Sequence, residues 1–524
     1  MATENIHWWS LGRGDMDSTV AQVGFNLAQS MIPVILLAPL GIPMAFSLRH
    51  LLPGYALGFL IGSFGLVHLA IRLARREGRQ NVTSHVYGNN VPGIIAFTLA
   101  IIVPVYMQTH DVNRAWAIGA AAVAWTGIFK LISAPFAGAI RRFIPVPASM
   151  TVFAAAMYSY LALVLLQRVF DQPVVGIVAL MIVAVTVLGN VPITKYRIPP
   201  FLVAWLVPLA IGLSVGYVHP VWQGMSLTAP LSITQEPLRA MIYALPYMSV
   251  ILPMAIYQIL QDIAAAEGGA AAGDNYDVRS LLVADGLGTL VCGLAGCVIT
   301  PVIYALLPPY KALGARIGFT FWTAIIYMAV VVSGLTIFIG QLFPWPILSA
   351  MIAYVAVGVG VATLRRVQPK YYTGLLLGLV LPTGAVVAAA VDSALPALHL
   401  SAASPDVQAA LNRSIYWSSV QGLGNGFLFL VLVIAAVITE SIDRRFNRAA
   451  LWCVIAAVFS WFGLLHSALM HWGAQPQYAV GWVAAAVILF TARWWAGEAL
   501  LNPHVQGAPT SVPVTKQERQ SVGK

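Results

Sequence analysis

Charge is scarce in this sequence. Of its 524 residues only 9% are Asp, Glu, Lys or Arg, while 59% are hydrophobic; an average soluble domain carries roughly 25% charged residues. That poverty excludes water as the main solvent for the chain. Cysteine is scarce too. Cys292, Cys297 and Cys453 all stand in apolar segments, which excludes a disulfide framework and a zinc-ligand pattern and leaves them as small packing residues. Absent altogether are a Walker A sequence, an HExxH pair and a dinucleotide fingerprint, so ATP-driven pumping and metalloproteolysis have no support, and no cofactor or metal is expected. The one G-x-S-x-G match, Gly212 to Gly216, lies inside an apolar run. Small residues there serve close helix packing, not the strand-turn-helix corner of a nucleophile elbow. The opening residues Met1 to Asp17 include Trp8, Trp9 and Arg13 but no cleavable signal with an apolar centre. They read as an interfacial segment.

What the chain does have is repetition of apolar runs of about 18 to 25 residues, each long enough to cross a hydrocarbon core of roughly 30 Å as a helix. Candidate spans begin near Gly24, Pro53, Asn90, Arg114, Pro145, Pro173, Ile198, Pro246, Ser280, Thr300, Phe319, Pro346, Tyr371, Gly422, Ala449 and Tyr478. The expected class is an all-α polytopic membrane protein, embedded in the lipid bilayer of the inner membrane.

The net charge of +10 sits in short clusters between these runs, a membrane-topology pattern and not that of a nucleic-acid binder. Placing the N-terminus in the cytoplasm puts Arg72, Arg75, Arg76 and Arg79 inside, followed by Arg141 and Arg142, then Lys195 and Arg197. Lys311 and Arg316, Arg365, Arg366 and Lys370, Arg444, Arg445 and Arg448, and the tail from Arg493 to Lys524 follow the same choice. Arg49, Arg114, Arg168, Arg239 and Arg413 remain outside. Both termini are then cytoplasmic. Asn81-Val82-Thr83 fits the glycosylation sequon but falls on that inner side.

Two segments are too interrupted to be simple spans. The stretch from Ser84 to Pro92 is extended in character and then becomes a helix, with Asn90 as the expected cap. The stretch from Cys297 to Tyr304 repeats that grammar, with Thr300 as a cap and Pro301 at the first helical position. They fall in the third and tenth crossings, the spacing of two inverted seven-segment halves. Discontinuous helices in such halves bring two positive helix ends together near the midplane; two ordinary proline-kinked helices are the alternative.

The eighth span carries Gln258, Gln261 and Asp262 at i, i+3 and i+4, hence on one face. A carboxylate in a membrane helix is costly, so it faces a cavity or a partner; near the helix end it would instead cap a neighbour. Glu267 is a second acid, close enough to the polar Gly273 to Asp277 loop for a solvated role. His85 could carry a proton or be a structural histidine. Asp285 could pair with a core group or couple an ion. Lys130, apolar on both sides, is expected to snorkel to the cytoplasmic surface.

Several stretches resemble the nucleobase cation symporters, the family of uracil and xanthine permeases and nucleobase ascorbate transporters. Ala284 to Leu290, followed by Gly293 and Gly296, resembles the family's DGLxTLxxGLxG pattern. Pro346 to Ala350 leading to Gly358-Val359-Gly360 is similar to its twelfth helix, Arg141 to Pro147 to the start of its fifth, and Ala244-Leu245-Pro246 to the segment before its eighth. The resemblance covers roughly Gly24 to Glu440. It implies a 7+7 inverted-repeat transporter with a core (24–140 and 238–340) and a gate (141–237 and 341–441), flanked by an N-terminal segment (1–23), an extra helix pair (442–500) and a cytoplasmic tail (501–524). It also implies a homodimer and alternating access.

The chain departs from that family at two places. Gln258 stands where one alignment puts the substrate-binding glutamate, another alignment moving that role to Gln261 or Glu267, and Leu306 and Leu307 replace the polar pair of the tenth segment. The candidates for substrate binding are Gln258, Gln261, Asp262, Glu267, Tyr87, Asn89, Asn90, Thr300 and Tyr304. Those for coupling to a proton or sodium are Asp262, Glu267, His85 and Asp285. The expected activity is secondary transport of a small polar molecule, a purine- or pyrimidine-like compound with proton coupling or, alternatively, a small organic or inorganic anion. A membrane sensor or scaffold is the rival from another class. His466, His471 and Trp472 in the extra helix pair have no assigned role.

Overall fold

The computed structural model describes residues 9–37, 42, 46, 50–188, 200–220, 235–304, 306–342, 344–398, 400 and 404–495. Trp8, Arg49, the Lys195 and Arg197 cluster and residues 496–524 of the tail lie outside the described residues.

Among these, helices account for nearly all regular structure. In chain order they include α1 (Arg13–Ser30), α2 (Leu52–Glu77), α3 (Val91–Thr109), α4 (Val112–Phe143), α5 (Val146–Asp171), α6 (Pro173–Thr186), α7 (Pro200–Ser214), α8 (Leu245–Ala270) and α9 (Val278–Leu294). Then follow α10 (Leu307–Ala312), α11 (Gly318–Val332), α12 (Trp345–Arg366), α13 (Pro369–Asp392), α14 (Trp417–Gly424), α15 (Phe427–Ile442), α16 (Phe446–Trp461) and α17 (Pro476–Trp495). Six of these (α2, α3, α4, α5, α8 and α13) are long and apolar enough to cross a membrane, and α14 and α15 reach that length and apolarity only together, with a bend of 77° between them. The chain is an all-α polytopic membrane protein, with one small two-stranded ribbon among the described residues.

Prolines open many of these helices, as at Pro53, Pro92, Pro147 and Pro173, because the missing N–H is not needed in the first turn. Glycine decides how closely they pack. A side chain at Gly293 of α9 would collide with the Ala124 backbone of α4, and one at Gly58 of α2 with Cys292 and the Gly288 carbonyl. Thus α9 is sandwiched between α2 and α4, with α11 laid on α1 and α2. In lipid, which offers no hydrophobic drive between helices, such close backbone approach is a main source of association. A second group packs α12 on α5 and α6, and α15 on α5 and α16. The outward faces are apolar, as at Ile132, Val380, Val480 and Val487.

The ribbon consists of β1 (Val86–Asn89) and β2 (Pro301–Tyr304), paired antiparallel with Val86 opposite Tyr304 and Asn89 opposite Pro301. Both strands are wholly buried. Extended backbone inside a bilayer must find partners for its N–H and C=O groups, and the two strands supply them to each other. Gly88 permits this approach, since any side chain there would strike the Tyr304 ring.

Two expectations are corrected here. Thr300 and Pro301 do not open a helix; Pro301 is the end residue of β2, and the next helix starts at Leu307. The β-branched run Val302-Ile303 favours a strand, and a proline is tolerated at a strand's first position. The second concerns the opening segment: α1 begins at Arg13, well before Gly24, and Asp15, Ser18, Thr19 and Gln22 are buried within the bundle.

Candidate functional site

The site is assembled where both broken segments meet α8. Asn90 caps α3, its Oδ1 accepting from Gly93 N at 3.0 Å, and its own N–H donates to the Thr300 carbonyl at 2.8 Å. Thr300 Oγ1 in turn accepts from Gln258 Nε2 at 3.3 Å. Gln258, Gln261 and Asp262 are all buried on one face of α8, as their spacing requires. One cap residue, one pre-strand threonine and one helix face thus converge at the point where both broken segments lose helical structure.

Several polar atoms at this junction have no hydrogen-bond partner: Gln258 Oε1, Gln261 Oε1, both carboxylate oxygens of Asp262, and Asn90 Nδ2. Polar atoms this deeply buried are nearly always paired in native proteins, and leaving one unpaired costs about 1–3 kcal/mol. All but Asn90 Nδ2 are acceptors. The junction can therefore receive a group rich in N–H or O–H donors.

Beside it lies an ion pair of the opposite character. Lys130 Nζ of α4 donates to Asp285 Oδ2 of α9 at 2.7 Å, to Thr289 Oγ1 at 3.1 Å and to the Pro301 carbonyl at 3.2 Å. Asp285 Oδ1 accepts from Tyr87 Oη at 2.8 Å and from Thr289 Oγ1 at 3.0 Å. Both charged side chains have 0% exposure. The snorkelling expected of Lys130 is thereby corrected: its ammonium turns inward because a carboxylate, a hydroxyl and a strand carbonyl satisfy all three of its donors. Asp262 lies against this pair and the Ile303 backbone, without a hydrogen bond of ordinary geometry.

The remaining candidates are distributed around this centre. Tyr87 is committed to Asp285 and stacks on Phe59. Asn89 Nδ2 donates to Asn26 O and Ser30 Oγ, and Tyr304 Oη donates to Asn89 O at 2.6 Å with Gln29 Oε1 also within reach at 2.9 Å. These contacts bring in a polar stripe on α1 that was missed: Asp15, Ser18, Thr19, Gln22, Asn26, Gln29 and Ser30, all buried. Its signal was the recurrence of polar residues at helical spacing across the proposed start at Gly24.

Glu267 and His85 lie apart from the junction. Glu267 pairs with the half-exposed Arg141 at 3.0 Å. His85 is buried edge-on to Tyr276 at 4.6 Å, with neither ring nitrogen hydrogen-bonded. Nearby, buried Asp274 receives Arg79 at 2.8 Å, Lys311 at 2.7 Å and Thr83 N at 3.1 Å. Thr83 of the sequon is itself buried, its Oγ1 donating to Ala315 O.

Basic clusters assigned to one side of the membrane are joined by direct contacts. Arg448 donates to the Phe143 carbonyl and pairs with Glu440 at 3.2 Å, and Lys370 pairs with Asp443 at 2.8 Å. Arg141, Arg142, Glu440, Asp443, Arg445 and Arg448 share one shallow groove. Burial raises the Asp443 carboxyl, but hydrogen bonds from Lys370 and Tyr371 outweigh it and hold the group below the ordinary carboxylate range. At the other end of the extra helix pair, His466 Nδ1 contacts Gly422 O at 2.6 Å, its ring stacks on Tyr478, and Trp482 Nε1 donates to its Nε2 at 3.1 Å. His466 therefore fastens the pair to α14.

No family model matches the chain, and no curated protein does. Among solved structures, the transmembrane domain of a cyanobacterium bicarbonate transporter, BicA, has 13% identity to it over 70% of this chain and 95% of that one, with a TM-score of 0.47. SLC26A9 has 13% identity over 92% of this chain and 65% of that one, with a TM-score of 0.48. The chain spans just under two thirds of the length of SLC26A9.

Proposed function

We propose that this protein is a secondary active transporter that binds a small polar solute together with a proton at the junction of Asn90, Thr300, Gln258, Gln261 and Asp262. The observation that carries the reading is the convergence of unpartnered buried atoms on the two places where helices break. A fold meant only to be stable would pair these atoms or replace them with apolar groups. Irregular backbone at membrane depth is tolerated where it is buried in protein or lines a cavity, and in transporters built from inverted repeats such breaks adjoin the solute site.

Asp262 is the group suited to the proton. Lys130 already neutralises Asp285, so an ionised Asp262 would be a buried charge without a counterion, which is strongly unfavourable. A proton, or a positively polarised solute, relieves that cost. Occupancy and protonation are then linked at one carboxyl group. Movement of a core (24–140 and 238–340) against a gate (141–237 and 341–441), with both termini cytoplasmic, belongs to the same proposal.

The excess of acceptors favours a solute bearing N–H donors, such as a purine- or pyrimidine-like ring. One observation favours a small anion instead: Asn90 Nδ2 is an unpartnered donor at the first turn of α3, where the helix dipole is positive. A thermal-shift screen of the purified protein against nucleobases and small carboxylates or sulfonates separates the two, because a true ligand raises the melting temperature saturably. Stabilisation by a heterocycle that disappears in Gln258→Ala supports the first reading. Stabilisation by anions that survives Gln258→Ala but not Asn90→Ala supports the second. No saturable ligand in either class overturns the location of the site.

A further inference from the structure

The ammonium of Lys130 sits among ligands that a free monovalent cation would choose. Its contacts are the Asp285 carboxylate, the Thr289 hydroxyl and the Pro301 backbone carbonyl. All are hard oxygen donors of the type that hold alkali and alkaline-earth ions, and Asp285, Thr289 and Lys130 are completely buried. The donors come from a helix, α9, and from the first residue of β2, so whatever cation stands there ties the unwound segment to the helix bundle. Thr289 Oγ1 and Tyr87 Oη orient the carboxylate from the other side. The charged groups facing the ammonium are Asp285 from α9 and, close by, Asp262 from α8.

We propose that Lys130 is a tethered monovalent cation: its ammonium fills an oxygen-lined cation site formed by Asp285, Thr289 and the Pro301 carbonyl, and that site accepts sodium once the ammonium is removed. The lysine delivers in covalent form the charge that another chain would take from solution. Its consequence for coupling rests on the transport reading above. With the Asp285 site permanently filled, sodium has no place there, and Asp262 is the buried carboxylate left for exchange. Lys130 is in this sense a positioning residue, holding β2 and the Asp285 carboxylate while the neighbouring acid changes state.

The test compares melting temperatures of purified wild type, Lys130→Ala and the neutral double variant Lys130→Met with Asp285→Asn, in sodium and in choline salts of matched ionic strength. Lys130→Ala should melt well below wild type in choline and recover in a saturable way as sodium replaces choline, by mass action. Wild type and the double variant should melt alike in both salts. Equal melting of Lys130→Ala in sodium and choline would overturn the proposal, as would a wild type that responds to sodium as strongly as the variant. If Lys130→Ala can be purified only with sodium present, the proposal stands. If it fails in both salts while the double variant folds, the proposal falls, because no solution cation then replaces the ammonium. The readout uses no solute, so its failure leaves the transport reading intact, and failure of that reading leaves the sodium result intact.

Discussion

Two polar groups lie side by side in this bundle and are treated in opposite ways. At Lys130 and Asp285 every donor and acceptor is matched, from Tyr87, Thr289 and the Pro301 carbonyl. At Gln258, Gln261 and Asp262 the acceptors are left unmatched at the same depth. The first group explains how broken backbone can be stable inside a membrane. The second indicates that stability was not the sole requirement. A matched network is costly to break because removal of one member strands the others, whereas an unmatched cluster loses little when trimmed and takes its worth from what it binds.

The sharpest way to break this contrast is to remove one charge of the pair. Asp285→Asn or Lys130→Met should destabilise the fold by about 3–5 kcal/mol, read as a large drop in melting temperature, with much of the loss restored when both are changed together. In the unmatched cluster, Gln258→Ala gives up one neutral hydrogen bond, to Thr300 Oγ1, and should cost about 1 kcal/mol of stability, well short of the loss at the pair, while weakening solute binding about tenfold, or about 1.4 kcal/mol, measured by equilibrium binding. Equal destabilisation in both regions would erase the distinction. Asn90 is placed like Gln258, matched through one atom and unmatched through the other. Asn90→Ala should cost about 1 kcal/mol of stability through loss of the cap and should also impair binding.

Most of the helical frame was legible in the sequence, and the reason is local. Apolar runs opened by proline placed α2, α5 and α6 within a residue or so of their observed starts, and Asn90 was recognisable as a cap because capping chemistry involves only its immediate neighbours. The failures were non-local. Whether Pro301 begins a helix or a strand is decided by β1, and Lys130 was assigned to the surface because its partner is 155 residues away. The stripe from Asp15 to Ser30 was readable by its period, yet a span drawn from Gly24 cut it in two. Gln258, Gln261 and Asp262 were found together by spacing alone; that Glu267, one turn further, joins Arg141 at the rim could not be read from the same pattern.

The smallest expected effect lies at the surface, outside both regions. Asp443 is held ionised by Lys370 and Tyr371, with its folded pKa below the ordinary value. Its contribution to stability is therefore complete above the unfolded-state pKa of about 3.9 and is lost as pH falls through the lower folded value. An exposed pair of this kind contributes about 0.2–1 kcal/mol. Asp443→Asn should abolish that part of the acid sensitivity while leaving solute binding unaltered; an effect on binding would tie the rim to the centre.

The central claim, that the unmatched cluster couples a solute to a proton through Asp262, is tested most directly by uptake into proteoliposomes under an imposed pH gradient, comparing wild type with Asp262→Asn. The wild type should accumulate a stabilising solute above its external concentration, driven by the gradient, while the variant exchanges solute without accumulating it. An Asp262→Asn protein that still concentrates solute in response to the gradient would contradict the account.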